Sequence, residues 1–599
     1  MMWRIFQYRP WRSARLAWMV TLGVLLAGVP LFVCMPPWND VTLHDMVVRS
    51  ILRGGVLYRD IFDTNLPGID WAMAAIRATC GWSYEVLRIA DLLVIGASLL
   101  ALSGWIRASG GTEASVAWFV AAAVLFYLFT SEFNHVQRDP WMFLPAVVAA
   151  RGRLWRCQRG LTASPAARWG GAILEGFVWG LAVWVKPHAL VVAFAVWWAS
   201  VGLRRRVESP PRLAGEFVAL VGGGLLAGGP GVAWLIATGA WPYFLDIFLH
   251  WNPSYLADSG PLGYRFVTVF NCFRPWSLLH FAALPLALMT LAEAVVGPVL
   301  RRPVLLDWND PQPELRPARV LLAVLYLSWM FQAVCIQKAF DYVHIPLTFL
   351  GMAILAGHRW CFGFAYLVWF LVVALVLLAA DASCRVRAVV QAINPSSSFV
   401  KLEKYPLFDG EVMQLWPRCW REGGSPELRD KIGHYTDIHC GTRWQELTAV
   451  AEFLRTLEPP LGPGELNCWH DSTHPLYLLL DLEPATRYMH YGTAFGIRSK
   501  RELIADAVRH SRQRYVVSDL VRVTLDRHAP YDPNAWRAGD PLPVWLPPSE
   551  RAKFPWNQPV VFRCGRYVVH RIDPSRPLGV IRVPPWHDLD RLAELGPDE

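Results

Sequence analysis

The sequence predicts a polytopic α-helical membrane protein of about eleven spans, followed by a C-terminal soluble α/β domain. Three observations carry this. Of the 599 residues 54% are hydrophobic and only 18% charged, with a mean hydropathy of +0.28, which exceeds what one soluble core requires. The apolar residues gather in runs of roughly 17–25, each long enough to cross about 30 Å of hydrocarbon. The arginines, finally, alternate from loop to loop along those runs. After Arg385 the runs stop, and Pro, Trp and charged residues mix as in a globular domain, so the boundary is drawn between 1–384 and 385–599.

The expected spans are 16–35, 86–106, 114–130, 140–150 (short), 169–185, 188–203, 213–238, 275–298, 319–336, 344–357 and 361–380. The first is read as a retained anchor, because Met35-Pro36-Pro37 offers no small-residue cleavage site. Arg4, Arg9, Arg12 and Arg15 precede it and place the N-terminus in the cytoplasm. Alternate loops then carry Arg107; Arg151, Arg153, Arg156, Arg159 and Arg168; Arg204, Arg205, Arg206 and Arg212; Arg301, Arg302, Arg316 and Arg319; and Arg359. This phase puts the C-terminal domain outside the cytoplasm. It also accounts for much of the net charge of +9 without a nucleic acid partner. The eleven cysteines show no metal-type spacing. Cys419, Cys440, Cys468 and Cys564 fall in the outer domain, where one disulfide is an open possibility.

Ionisable groups near membrane segments are costly and so tend to be functional. Here they collect in four clusters on the predicted outer face. The first, PPWNDVTLHDMVVRSILRGGVLYRDIFDTNLPGIDW, follows span one. Thr42 to Asp45 has capping-box form. Leu43, Met46, Val47, Ser50 and Ile51 would share one face of a short surface helix, with Asp45, Arg49 and Arg53 on the other. Gly54-Gly55 ends it, and TNLPG turns the chain into a second interfacial helix over about 69–80. Asp45 thus has structural work as a cap and as an i,i+4 partner of Arg49. Asp40, just before the helix, has none assigned.

The second cluster is SEFNHVQRDPW, where Pro140 starts a helix and Asp139 is its N-terminal acid. Glu132, His135, Gln137 and Arg138 crowd the same turn. The third is Lys186-Pro187-His188, and the fourth QKAFDYVHIP with Lys338, Asp341, Tyr342 and His344. The loop from Trp241 to Tyr264 adds interfacial aromatics with Asp246, His250 and Asp258. Acids beside cations on one face suit a displacement in which a carboxylate takes a proton from an acceptor and cations meet a leaving phosphate.

At these residues the chain resembles the GT-C class of polyprenyl-phosphate-sugar glycosyltransferases, which includes protein O-mannosyltransferases, lipid A aminoarabinose transferases and Rgt-type transferases. GGVLYRDIFDTNLPG looks like the class's G-x-x-Y-x-D…P-G stretch, with an acid about fourteen residues upstream of the glycine. QRDPW resembles its second outer-loop acid, and QKAFDYVHIP a late K-x-x-x-YH-x-P segment with Val343 inserted. The resemblance covers roughly 16–380. It implies Asp40 as the base, Asp139 as its orienting acid and Asp45 as a third acid of the catalytic set. Arg138, Lys186, His188, Lys338, Tyr342 and His344 would hold lipid phosphate and sugar.

The implied partners are a polyprenyl-phosphate-linked sugar donor, a lipid, glycan or protein acceptor, and the lipids of the cytoplasmic membrane. No cofactor is expected, although a divalent metal is not excluded. Two positions depart from the class. Its frequent acidic pair is here Asp40-Val41, and its lysine before Pro is replaced by Asn65-Leu66.

The C-terminal part reads as a small α/β domain with ELTAVAEFLRTL helical and YVVSDLVRV and VVFRCGRYVVHRI as strands. His470, Asp471, Ser472 and His474 invite a hydrolase reading, but no nucleophile elbow accompanies them. Two other classes are weighed against the transferase. A transporter would place its ionisable groups near the midplane, in paired halves. A non-catalytic envelope protein would use the outer domain for binding.

Overall fold

The structure, a computed structural model, describes residues 13–159, 164–205, 207–257, 261–273, 276–300, 315–358, 410–433, 441–520 and 551–581. Each apolar run predicted within them is helical. In chain order these are α1 (Ala14–Cys34), the two loop helices α2 (Asn39–Leu52) and α3 (Gly68–Cys80), α4 (Tyr84–Ala108), α5 (Glu113–Leu128), α6 (Arg138–Arg159), α7 (Pro165–Val185), α8 (Ala189–Arg204), α9 (Pro210–Ala237), α10 (His280–Leu300), α11 (Arg316–Phe331) and α12 (Ile345–Gly357). Ser13, Thr112 and Ser164 cap α1, α5 and α7 by accepting from the N–H three residues on.

Among the described residues five helical stretches are long and apolar enough to cross a membrane: Ala14–Cys34, Tyr84–Ala108, Pro210–Ala237, Trp276–Val295 and Arg316–Ile336. Three shorter apolar stretches accompany them, Glu113–Leu128, Ala189–Arg204 and Asp341–Gly357. The bundle turns its large apolar side chains outward, with Leu93, Leu100 and Leu225 about 70% exposed, as a surface solvated by lipid does. α7 and α9 are in contact along glycines. A Cβ on Gly176 or Gly223 would overlap the facing carbonyl of Leu220 or Ile173, a small-residue contact of the kind that joins membrane helices.

Three sequence expectations change. The short span over 140–150 is part of a 22-residue helix, α6. Its arginines do not all sit in a loop: Arg153 and Arg156 are buried with Glu175 of α7 and Glu216 of α9. Arg204 adds pairs to Glu208 (2.7 Å) and Glu216 (2.6 Å). Three guanidinium groups thus meet three carboxylates, so this knot adds nothing to the basic character of that end. Third, Cys419, Cys468 and Cys564 are free thiols. The span at 361–380, Arg301, Arg302, Arg359, Asp258 and Cys440 lie outside the described residues.

The C-terminal domain is built on a four-stranded sheet of order β1-β2-β5-β4, from β1 (Leu466–Cys468), β2 (Tyr515–Asp519), β4 (Val560–Cys564) and β5 (Tyr567–Arg571). β1 and β2 run parallel, and the other pairings are antiparallel. β3 (Lys553–Phe554) and β6 (Val580–Ile581) form a separate parallel pair. The amphipathic helix predicted from ELTAVAEFLRTL is α13 (Trp444–Arg455), which buries Leu447, Val450, Ala451 and Leu454. Ser472 donates to Asp519 (2.5 Å), while His470 accepts from the Asp519 N–H (2.9 Å). The His-Asp-Ser cluster therefore ties β1 to β2 as fold chemistry.

On β5, His570 is wholly buried beside Ser518 (2.8 Å), and burial pushes its pKa down to about 4. Unfolding lets it titrate at its ordinary value near 6.5, so its neutral burial is fully stabilising above that pH. The contribution is lost as pH falls towards 4, about 3 kcal/mol in total at about 1.4 kcal/mol per unit. We expect the gap in thermal midpoint between the wild type and His570→Asn to narrow over that window, as read by circular dichroism.

The domain does not stand apart from the bundle. Leu43, Met46 and Val47 of α2, with Leu57, Tyr58, Ile61 and Phe62 of the following loop, share one hydrophobic core with Leu447, Val450, Tyr477, Tyr488 and Val516. Phe62 N–H donates to the Arg487 carbonyl (2.9 Å). The Phe62 and Trp251 rings lie 4.6 Å apart, and Trp251 stacks on Tyr488 at 5.6 Å.

Candidate active site

Pro36 and Pro37 hold the chain extended up to Trp38, and α2 begins at once at Asn39. Helix entry thus comes earlier than the capping-box pattern implied. Asp40 lies in the first turn, where the helix dipole favours an acid, and Thr42 and Asp45 are interior. Asp45 is buried and held at both oxygens by Arg77 of α3, with Nε–Oδ1 at 2.8 Å and Nη2–Oδ2 at 2.6 Å. It is neither a cap nor an ion-pair partner of Arg49, and both of its oxygens accept from Arg77. Arg49 is buried too. It donates to the carbonyls of Tyr477 (2.7 Å) and Leu482, docking the C-terminal domain on α2 rather than facing outward.

The 131–139 turn delivers the second acid. A 3₁₀ turn, Glu132–Asn134, leads to Val136, which sits at φ 57°. A β-branched residue in the left-handed region is strained, and this bend sets Gln137, Arg138 and Asp139 at the start of α6. Asp139 is fully buried. It accepts from Lys186 Nζ (2.6 Å) and from Gln337 Nε2 (3.1 Å), and Lys186 also donates to Gln337 Oε1. α3 reaches this place because Gly68 packs on the backbone of Trp184 and Val185, where a Cβ would collide. Lys186 is therefore engaged by Asp139 and Gln337.

Among the described residues, Asp40 and Arg138 are both left underused. Asp40 accepts one long hydrogen bond, from Gln137 Nε2 at 3.4 Å. Arg138, half-buried, makes no hydrogen bond or ion pair among the described residues. The charges acting on it are those of Tyr342, Asp63, Asp139 and Tyr255. Tyr342 and Tyr255 each feel the charges of both Arg138 and Asp40. Lys338 lies over the Tyr255 ring at 3.7 Å, and Tyr342 stacks on Phe340 at 5.3 Å.

Two further candidates lie at helix starts. His188 precedes α8, with Nδ1 buried and without a hydrogen-bond partner among the described residues. His344 is buried at the start of α12 within electrostatic reach of His280 on α10, rather than among the groups that act on Arg138.

The sequence reading missed four contributors. Gln137 and Gln337 were visible only as neighbours of charged residues, yet they bridge to Asp40 and Asp139. Asp63, in the DTNLPG turn, acts on Arg138. His490 comes from the C-terminal domain and pairs with Asp471 at 3.2 Å. Burial lowers its pKa, but Asp471, joined by the charges of Asp40 and Asp63, raises it further, so the net direction is up. Nothing local in the sequence links His490 to Asp40, 450 positions earlier.

No protein-family model and no curated protein matches the chain. Among solved structures, the chain is similar to ArnT of Cupriavidus metallidurans in the apo state, at 16% identity over 95% of this chain and 100% of that one, with a TM-score of 0.45. It is also similar to the Archaeoglobus fulgidus oligosaccharyltransferase in the apo form, at 13% identity over 84% and 69% of the two chains, with a TM-score of 0.38. The archaeal oligosaccharyltransferase AglB, in complex with an inhibitory peptide and a dolichol-phosphate, follows at 11% identity over the same shares and a TM-score of 0.36.

Proposed function

We propose that the protein is an integral-membrane, GT-C-type glycosyltransferase moving a sugar from a polyprenyl-phosphate donor to an acceptor on the extracytoplasmic side, with inversion. The N-terminus is then cytoplasmic, eleven spans cross the cytoplasmic membrane, and the C-terminal domain lies outside over the acceptor entrance. The observation that carries this is a carboxylate with one long hydrogen bond, Asp40, and a guanidinium without an ion pair among the described residues, Arg138, both acting on Tyr255 and Tyr342, beside a second acid already paired with Lys186. Asp40 takes the proton of the acceptor hydroxyl or amine as its heteroatom attacks the anomeric carbon. The bond from that carbon to the phosphate oxygen breaks, and the departing phosphate carries the electron pair towards Arg138, where rigid fork geometry suits it. Asp139, clamped by Lys186 and Gln337, positions the turn that bears Arg138.

Purified protein incubated with a panel of polyprenyl-phosphate sugars and an envelope extract should release free lipid phosphate from at least one donor. Release from none, with lipid binding intact, would overturn the reading. Arg138→Met is expected to weaken binding of the bare polyprenyl phosphate by about tenfold or more, since a hydrogen bond to a charged group contributes about 1.5–3 kcal/mol.

A further inference from the structure

His44, Asp63 and Asp70 form a second buried group beside the site, from α2, the turn before Pro67 and the first turn of α3. They are 4, 3 and 1% exposed, and one ligand atom from each lies within 4.8 Å of the others. His44 Nδ1 meets Asp70 Oδ1 at 2.7 Å. Asp63 Oδ1 accepts from the Asn65 backbone N–H (3.0 Å) and side-chain amide (2.7 Å). The remaining oxygens, Asp63 Oδ2 and Asp70 Oδ2, are buried with no hydrogen-bond partner. Leaving one such acceptor unmet is costly, and a bound cation would meet both. Arg138 acts on both Asp63 and Asp70 but makes no ion pair with either.

We propose that His44, Asp63 and Asp70 bind a divalent transition ion of the Mn2+ or Zn2+ class, pinning α2 to α3. One imidazole with two carboxylates matches the mixed nitrogen–oxygen preference of these ions, whereas Ca2+ and Mg2+ favour oxygen alone. Metal–ligand bonds of about 2.0–2.2 Å bring ligand atoms to roughly 3.3 Å apart, so Asp63 swings inward by a small rotation and water fills the open positions. Neither Asp40 nor Asp139 belongs to the set, although Asp63 and Asp70 also act on Arg138.

The test uses the full chain in detergent micelles, stripped with a chelator and titrated with Mn2+ (paramagnetic resonance of the free ion) and Zn2+ (calorimetry). One ion per chain is expected, with a Kd at or below about 10 µM, a raised thermal midpoint and a loss of affinity of about tenfold or more in Asp63→Asn. Asp63→Asn keeps the shape of the turn, and circular dichroism reports whether it folds. If stripped wild type binds neither ion below about 100 µM, or folded Asp63→Asn binds as tightly as wild type, the site is overturned. Should Asp63→Asn fail to fold, His44→Gln takes its place under the same criteria.

Discussion

Asp40→Asn is expected to lower sugar transfer by about 10²–10⁴-fold, the range a positioned general base contributes, with the affinity for polyprenyl phosphate unchanged. The substitution is nearly isosteric. Asp40 has one hydrogen bond, long at 3.4 Å from Gln137, and an asparagine oxygen accepts it equally well. What is lost is the ability to take a proton. Arg138, the phosphate contact in the proposal, is untouched, so donor binding and turnover should separate. Transfer at the wild-type rate in Asp40→Asn removes the assignment of the base. Loss of lipid binding in parallel with rate moves Asp40 to a binding role.

Arg77→Met should destabilise the protein by about 3–5 kcal/mol, because it leaves Asp45 charged and buried without its partner. The pair joins α2 to α3 with both side chains essentially inaccessible. The companion double variant, Asp45→Leu with Arg77→Met, should recover most of that loss, since an apolar pair of similar volume replaces a buried ion pair at little cost. Denaturation of the detergent-solubilised protein measures both. The double variant also decides the role of Asp45. If it folds and still transfers sugar, the acid is structural; if it folds and is inactive, Asp45 belongs with Asp40 after all.

The spans were legible because hydrocarbon-length apolar runs have one stable solution in lipid. Polar positions were read less well, and each failure has a cause. Thr42–Asp45 carried a capping pattern, but the extended Pro36-Pro37-Trp38 segment starts the helix before that pattern applies. Arg153 and Arg156 counted as loop cations because periodicity cannot reveal Glu175 and Glu216, brought against them from other helices. Arg49 was placed on a wet face because the surface that covers it, around Tyr477, lies in another domain. Asp40 was singled out because it stands at a helix start with no local work assigned, and Asp139 because other polar residues crowd its turn. Local signals can disclose that kind of vacancy, whereas Gln337 and His490 depend on tertiary contact.

The shared core of α2 and the C-terminal domain also has a consequence for biosynthesis. Arg49 emerges from the ribosome 432 positions before its partner Asp481, which is roughly 20–90 s at about 5–20 residues per second. During that interval the first loop has left the membrane-insertion machinery with Leu43, Met46 and Val47 still lacking their C-terminal partners, exposed to chaperones, proteases and lipid. A nascent chain halted before residue 444 already contains Asp40, Arg138 and Asp139, but it lacks the C-terminal residues that pack on α2. Burial of the first loop is therefore a late event, and the C-terminal domain acts on its own N-terminal loop as a folding template supplied last.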